Sequence, residues 1–354
     1  PAKLREKLTL FWHGHFATSN AKVKSHQLML QQNRLLRQLG MGEFGELVLA
    51  VSRDPAMLIY LDSRTNRRMH PNENFARELM ELFCLGPGNY SERDIQQIAR
   101  CFTGWEVRDG RSYFNRAQHD RGQKAFLGRR GEFDGATAVR IVAAQPAAAR
   151  FLARKLYRFY IADEPVPSVE LVEPLAQQLR TDQLRIEPAL RRIFTSNLFF
   201  SEHAVAQKIR SPVELALGLL HSLEATYPTN ELARRLRPLG QAPFFPPNVK
   251  GWDGGRTWIN STTLLGRANL VRAVLDDSKT RFAGQSLADF AQRSLPNDHE
   301  EFVGRLTELL LATQLSGTPQ RLVAELAAKR GEQNGRGVAD VIHLISTLPE
   351  FHLA

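Results

Sequence analysis

The apolar positions of this chain recur at helical spacing over most of its length. Ile95, Ile98, Ala99, Phe102 and Trp105 fall on one face, and Ser91 with Asp94 supplies a capping-box start just ahead of them. Ser211-Pro212-Val213-Glu214 is a stronger start, with a hydroxyl cap, a proline in the first turn and a glutamate placed to reach back. Leu217, Leu220 and Leu223 continue that stripe. Similar openings at Ser168, Asn297 and Thr318-Pro319 precede leucine-rich periodic runs, and the stretches Leu4 to Trp12 and Pro146 to Tyr160 read the same way. About a dozen helices follow from such signals. The pattern predicts an all-α protein, a large multi-helix bundle-like domain.

Two stretches break the helical period. Between Glu106 and Gly135, Asp109-Gly110 sits between short β-prone runs and predicts a small hairpin projecting from the helical body, followed by a polar loop. From Gly240 to Asn260 the chain gathers Pro243, Pro246, Pro247, Gly251, Gly254 and Gly255 with Trp252 and Trp258. A loop of that length is either functional or pinned tightly to the core. A linker around Asp276 to Gln285 suggests a main helical domain over 1–275 and a C-terminal helical subdomain over 276–354.

Charge sharpens the picture. The chain has 354 residues and a net charge of +10, an excess that favours anionic partners and equally serves solubility. It holds no run of five basic residues and no zinc-finger, cold-shock or RNA-recognition signature, so a dedicated nucleic-acid module is not expected. No apolar run approaches the length of a membrane span. The chain opens at Pro1 without a leader, which suggests a trimmed or processed start and says little about location. Cys84 and Cys101 are too few for a disulfide scaffold; free buried thiols are expected, with one disulfide as the alternative in an exported protein.

Four blocks carry a resemblance. They are Phe11-Trp12-His13-Gly14-His15-Phe16; Asn72 to Phe83 (NENFARELMELF) with Tyr90-Ser91-Glu92 and Phe102-Thr103-Gly104-Trp105; His119-Asp120 with Lys124 and Leu127-Gly128; and Arg210 to Glu214 with Gly240-Gln241, Pro246 to Trp252 and Trp258-Ile259. Together, in this order, they resemble the bacterial domain-of-unknown-function family numbered 1800, and Leu348-Pro349-Glu350-Phe351 is similar to its terminus. The resemblance implies no established activity. It implies further helical sequence ahead of the tryptophan-histidine block, so the chain is expected to be N-terminally truncated. It also implies frequent export to a periplasmic or external location, and a partner protein encoded nearby with a phosphatase- or sulfatase-like fold.

The candidate chemistry lies mostly in these blocks. His13 and His15 share a side if the backbone is extended at Gly14, where they could bind a divalent metal ion; in a continuing helix they diverge by about 200°. Asn74, Glu78 and Glu81 line one helix face, suited to a metal or to acid–base work, unless Arg77 simply pairs with Glu81 on a solvated edge. His119 beside Asp120 has the look of a loop-borne catalytic or metal-ligating pair, or of an Asx turn. Arg150, Arg154 and Arg158 recur every four residues beside Lys155, an anion-binding stripe or a solvated face. Lys250, Trp252 and Trp258 are candidate substrate contacts, and the two tryptophans equally suit a pinned loop. No Walker loop, dinucleotide fingerprint, Gly-x-Ser-x-Gly elbow or His-Glu-x-x-His occurs. Two readings remain open. One is a hydrolase using a divalent metal, with Glu78, Glu81, His119 and Asp120 as catalytic groups, His13, His15, Glu78 and His119 as ligands, and Arg150, Arg154, Lys250, Trp252 and Trp258 on an anionic or glycan-type substrate. The other is an exported, non-enzymatic binding or assembly protein for a polyanion, a cell-surface glycan or a partner protein.

Overall fold

The computed structural model describes residues 2–329 and 335–354. Among the described residues, eighteen α-helices and three two-stranded antiparallel sheets make an all-α protein with small β-hairpins. No helix among the described residues is long and apolar enough to cross a membrane. The chain divides into two compact units: Pro1–Tyr160, Val166–Ser196 and Phe244–Trp252 form the first, and Ile161–Pro165, Asn197–Pro243 and Asp253–Ala354 the second.

In the first unit the Ala2–His15 helix supplies the centre of the core. Leu8, Phe11, Trp12, His15 and the adjoining Phe16 recur at three- and four-residue steps and are all buried. Trp12 stacks on Phe16 and Phe44 at 5.6 and 5.7 Å, and its Nε1 donates to the Gly40 carbonyl at 3.0 Å, so the one polar atom of the ring is not left unpaired. Burying each of these rings contributes about 3 kcal/mol.

The Asn74–Glu78 helix starts where Asn72 Oδ1 accepts from the Asn74 N–H at 2.9 Å, and it continues as a π-helix over Leu79–Cys84. That wider turn keeps Phe75, Leu79, Met80, Phe83 and Cys84 all buried, which a strict 3.6-residue stripe would not. Cys84 and Cys101 are free, buried thiols, and burial pushes the Cys101 thiol up to about 12.

The expected hairpin is present: β1 (Trp105–Arg108) pairs with β2 (Arg111–Phe114) across Asp109-Gly110, both at positive φ. Rather than projecting freely, it packs against the Pro55–Tyr60 helix, and its Gly110 turn approaches Leu28. The stretch expected to be a polar loop holds a second hairpin, β3 (Lys124–Phe126) with β4 (Arg129–Gly131), turning at Leu127-Gly128 and lying on the Glu92–Cys101 helix.

In the second unit the Ser211 and Glu214 capping box opens the Pro212–Ser222 helix as the sequence suggested. The Ser261–Asp276 and Gly335–Thr347 helices pack together. The end of the chain lies along residues 208–210: Arg210 N–H donates to His352 O at 2.8 Å, and Ala354 N–H to Lys208 O at 2.8 Å. Thus the arginine-serine-proline block and the terminal leucine-proline-glutamate-phenylalanine block, remote in sequence, meet as neighbouring backbone.

Candidate functional site

The two histidines nearest the start are core residues. Their helix runs through Gly14 to His15, so the two rings diverge. His15 donates from Nε2 to Phe83 O at 3.0 Å, a carbonyl near the end of the π-helix, and it packs among Phe11, Phe16, Phe44 and Phe151. Burial, with the nearby Lys155 ammonium, holds its pKa well below that of a free imidazole, while the Phe83 carbonyl opposes the shift. His13 accepts at Nε2 from Phe244 N–H at 2.9 Å and lies against Phe244 and Trp252; burial lowers its pKa to about 4. Gly251 rests on the turn beside His13: a Cβ there would stand 2.3 Å from Gly14 O. The tryptophan-histidine block and the proline-glycine-tryptophan block are therefore two halves of one packing contact.

Glu78 and Glu81 lie close enough to influence each other. Burial first, then the Glu81 carboxylate, raises the pKa of Glu78, with Arg77 opposing. Tyr90 donates to Glu81 Oε2 at 3.2 Å, and its phenol is pushed up to about 12 by burial and by that carboxylate. Arg77 pairs with Glu92 at 2.7 Å and Glu73 at 3.3 Å rather than with Glu81.

His119 and Asp120 sit elsewhere, in the segment between β2 and β3, and they do not bond to each other's side chains. Asp120 is clamped by Arg100, with Nε on Oδ2 at 2.7 Å and Nη2 on Oδ1 at 3.2 Å. The buried Lys124 ammonium donates to Asp120 O at 2.6 Å and Gly122 O at 3.1 Å. Burial raises the pKa of the Asp120 carboxyl, but Arg100, the Gly122 N–H and Lys124 together outweigh it and leave the group below its usual value. His119 Nδ1 lies 2.9 Å from Thr103 O. A carbonyl only accepts, so Nδ1 carries the proton, and in the neutral ring Nε2 keeps its lone pair. The tautomer is fixed by this backbone oxygen and not by the neighbouring Asp120.

Around His119 lies a pocket of about 570 Å³ lined by Arg68, Met69, Arg116, Asp120, Arg121 and neighbouring backbone. The segment over 62–70 reaches it because Arg68 N–H donates to Gln118 O at 2.9 Å. None of the three guanidinium groups makes a hydrogen bond or ion pair to the described residues, and all three residues are exposed. Sequence reading did not single them out: Arg68 lies far from the others along the chain, and no motif includes any of them. The only signal was the density of arginine between residues 104 and 131.

The remaining candidates are scattered. Arg150 is paired with Glu173 at 2.8 Å, whereas Arg154 Nε is buried without a hydrogen-bond partner among the described residues. Trp252, with its Nε1 buried, belongs to the loop on His13, and Lys250 is exposed beside it. Trp258 is buried in the second unit under Gly240. Among the described residues no three His, Cys, Asp or Glu side chains come together in a way that would hold a metal ion. A larger pocket, of about 880 Å³ beside the His299–Leu310 and Gly317–Ala328 helices, carries His299, Glu300, Glu308 and Arg321 and so gathers no charge of one sign.

Fold and site together define a helical protein that opens an arginine-lined pocket next to a histidine of fixed tautomer. The chain belongs to the family described as protein of unknown function (DUF1800), whose model matches residues 1–353. No curated protein and no solved structure matches it.

Proposed function

We propose that this protein binds an anionic ligand, bearing carboxylate, sulfate or phosphate groups, in the pocket of Arg68, Arg116, Arg121 and His119. One observation carries the reading: three guanidinium groups without partners among the described residues line a single solvent-reachable pocket. Planar guanidinium forks match the paired oxygens of such anions. Each exposed contact is worth about 1 kcal/mol at most, so the three together support roughly hundredfold tighter binding than their absence would. Metal-assisted hydrolysis of the same ligand is supported by less: of the proposed ligands only His119 lines this pocket, while His13 and His15 are committed to the core.

The test is a titration of the whole chain with a sulfated polysaccharide, alone and as the R68A/R116A/R121A variant. Binding should weaken by one to two orders of magnitude while the far-ultraviolet dichroism stays unchanged. Equal affinity in a folded variant would remove the pocket from consideration.

A further inference from the structure

We infer that the ligand is a polymer, an acidic glycan whose charged groups continue from the arginine pocket across the 64–68 segment and hairpin β1–β2. This rests on the reading of the pocket as an anion site. The first support is where the charge lies. Residues 62–70 and 104–131 hold ten Lys and Arg against four Asp and Glu, a net +6 of the chain's +10. These segments are one surface: Gly104 N–H donates to Asn66 O at 2.9 Å, Asn115 N–H to Gly104 O at 2.7 Å, and Arg68 N–H to Gln118 O at 2.9 Å.

Most of the acidic charge there is already spoken for. Asp62 pairs with Lys22 at 2.7 Å, Glu106 with Arg108 at 2.9 Å, and Asp120 with Arg100 at 2.7 Å. Arg64, Arg67 and Arg111 are exposed like the pocket arginines, and their guanidinium groups likewise make no hydrogen bond or ion pair to the described residues, Arg67 acting only at longer range on Glu106. A compact anion filling the pocket would leave these three cations unused.

The hairpin register adds a second argument. Arg108 stands directly opposite Arg111 beside the turn; Glu106 neutralises Arg108 at 2.9 Å, whereas the Arg111 guanidinium has no carboxylate of its own among the described residues. The pair lies three residues, about 10 Å, from the Phe114 end of β2, so a ligand covering both places must be extended. An anionic chain laid there supplies the counter-charge that Arg111 lacks.

Glycan is favoured over nucleic acid because the rings of this surface already have cations or other rings against them, and Tyr113, at 46% exposure, is left as the one exposed ring among them. The Arg108 guanidinium lies 4.3 Å from the Tyr113 ring, and Trp105 has Arg53 at 5.2 Å and Phe114 at 5.1 Å. Single-stranded nucleic acid draws much of its affinity from bases stacked on open rings.

The experiment compares three probes on the full chain: dextran sulfate, a monosaccharide sulfate followed by the His119 ring resonances, and a thymidine oligonucleotide. It uses the wild type, an R64A/R111A variant outside the pocket and an R68A/R116A variant within it. R64A/R111A should bind dextran sulfate roughly tenfold more weakly, with a salt dependence shallower by about one to two units, and should leave the monosaccharide response unchanged. R68A/R116A should weaken both sulfated probes. Dextran sulfate binding and salt slope unchanged in R64A/R111A overturn the extended track while the pocket stands. Both sulfated probes unchanged in R68A/R116A overturn the pocket itself. Tighter binding of the oligonucleotide than of dextran sulfate overturns the glycan assignment.

Discussion

Replacing Gly251 by alanine tests the packing of the proline-glycine-tryptophan loop on the tryptophan-histidine turn. Two costs arise. Gly251 has φ of +86°, where a side chain costs about 1–2 kcal/mol. The new Cβ would also stand 2.3 Å from the Gly14 carbonyl oxygen, inside the 3.0 Å below which real Cβ contacts essentially never occur. That oxygen belongs to a helix and cannot swing aside like a side chain. Relieving the overlap therefore moves backbone, at a further 1–3 kcal/mol, roughly. Gly88 provides the control within the same unit: its φ is +83°, and nothing lies within 4 Å of a Cβ built there. Gly88→Ala should thus show the conformational cost alone, and Gly251→Ala that cost plus the clash, a difference of about 1–3 kcal/mol. Urea denaturation read by tryptophan fluorescence reports it, since Trp252 adjoins the substituted position. Equal shifts in midpoint for the two variants would refute the contact as described.

Two further outcomes follow from buried charge. The folded-state pKa of His13, about 4, lies below that of the unfolded chain, so its contribution to stability is complete above pH 6.5 and is lost as pH falls towards 4, about 3 kcal/mol in all. Asp54, raised to about 6 by burial, acts in the opposite direction over much of the same range, so the His13 share must be read by difference. The stability gap between wild type and His13→Gln should shrink by about 3 kcal/mol from pH 7 to pH 4, and a gap constant with pH would contradict the assignment. In the second unit Arg267 is fully buried, with Nε and Nη1 unpartnered among the described residues, and burial lowers its pKa to about 10 against the pull of Glu214. Arg267→Met should be neutral or stabilising by about 1 kcal/mol, while Glu214→Gln, which strips the carboxylate from Lys208 at 2.9 Å, should cost about 3 kcal/mol in thermal or chemical unfolding. The reverse order would show that the arginine is the anchor.

Local signals account for what the sequence made legible. The Ser91 and Ser211 capping boxes and the Asp109-Gly110 turn each use a few adjacent residues, and each appears where the spacing placed it. The second hairpin escaped notice because Leu127, a residue that disfavours positive φ, takes the left-handed position of its turn at 47°. Of the two backbones left open at Gly14, the helix is the one formed, because Trp12, His15 and Phe16 all gain burial only if the same face continues. The π-helix at Leu79–Cys84 likewise reflects tertiary packing rather than propensity. The arginine pocket was illegible for a different reason. Its members come from segments about fifty positions apart, and an isolated exposed arginine carries no periodicity or motif.

The discontinuity of the first unit has a bearing on how the chain reaches its native state. The bond between Phe244 and His13 spans 231 positions, and the whole second-unit stretch from Asn197 to Pro243 is emitted from the ribosome before that loop can arrive. Until then the His13 imidazole lacks its donor and the turn beneath Gly251 stands uncovered. Ring closure over so long a span is slow compared with local helix formation, so the turn beside His13 stays uncovered until the loop has been made and has closed onto it. Chaperone capture or proteolysis would act on the molecule in that interval.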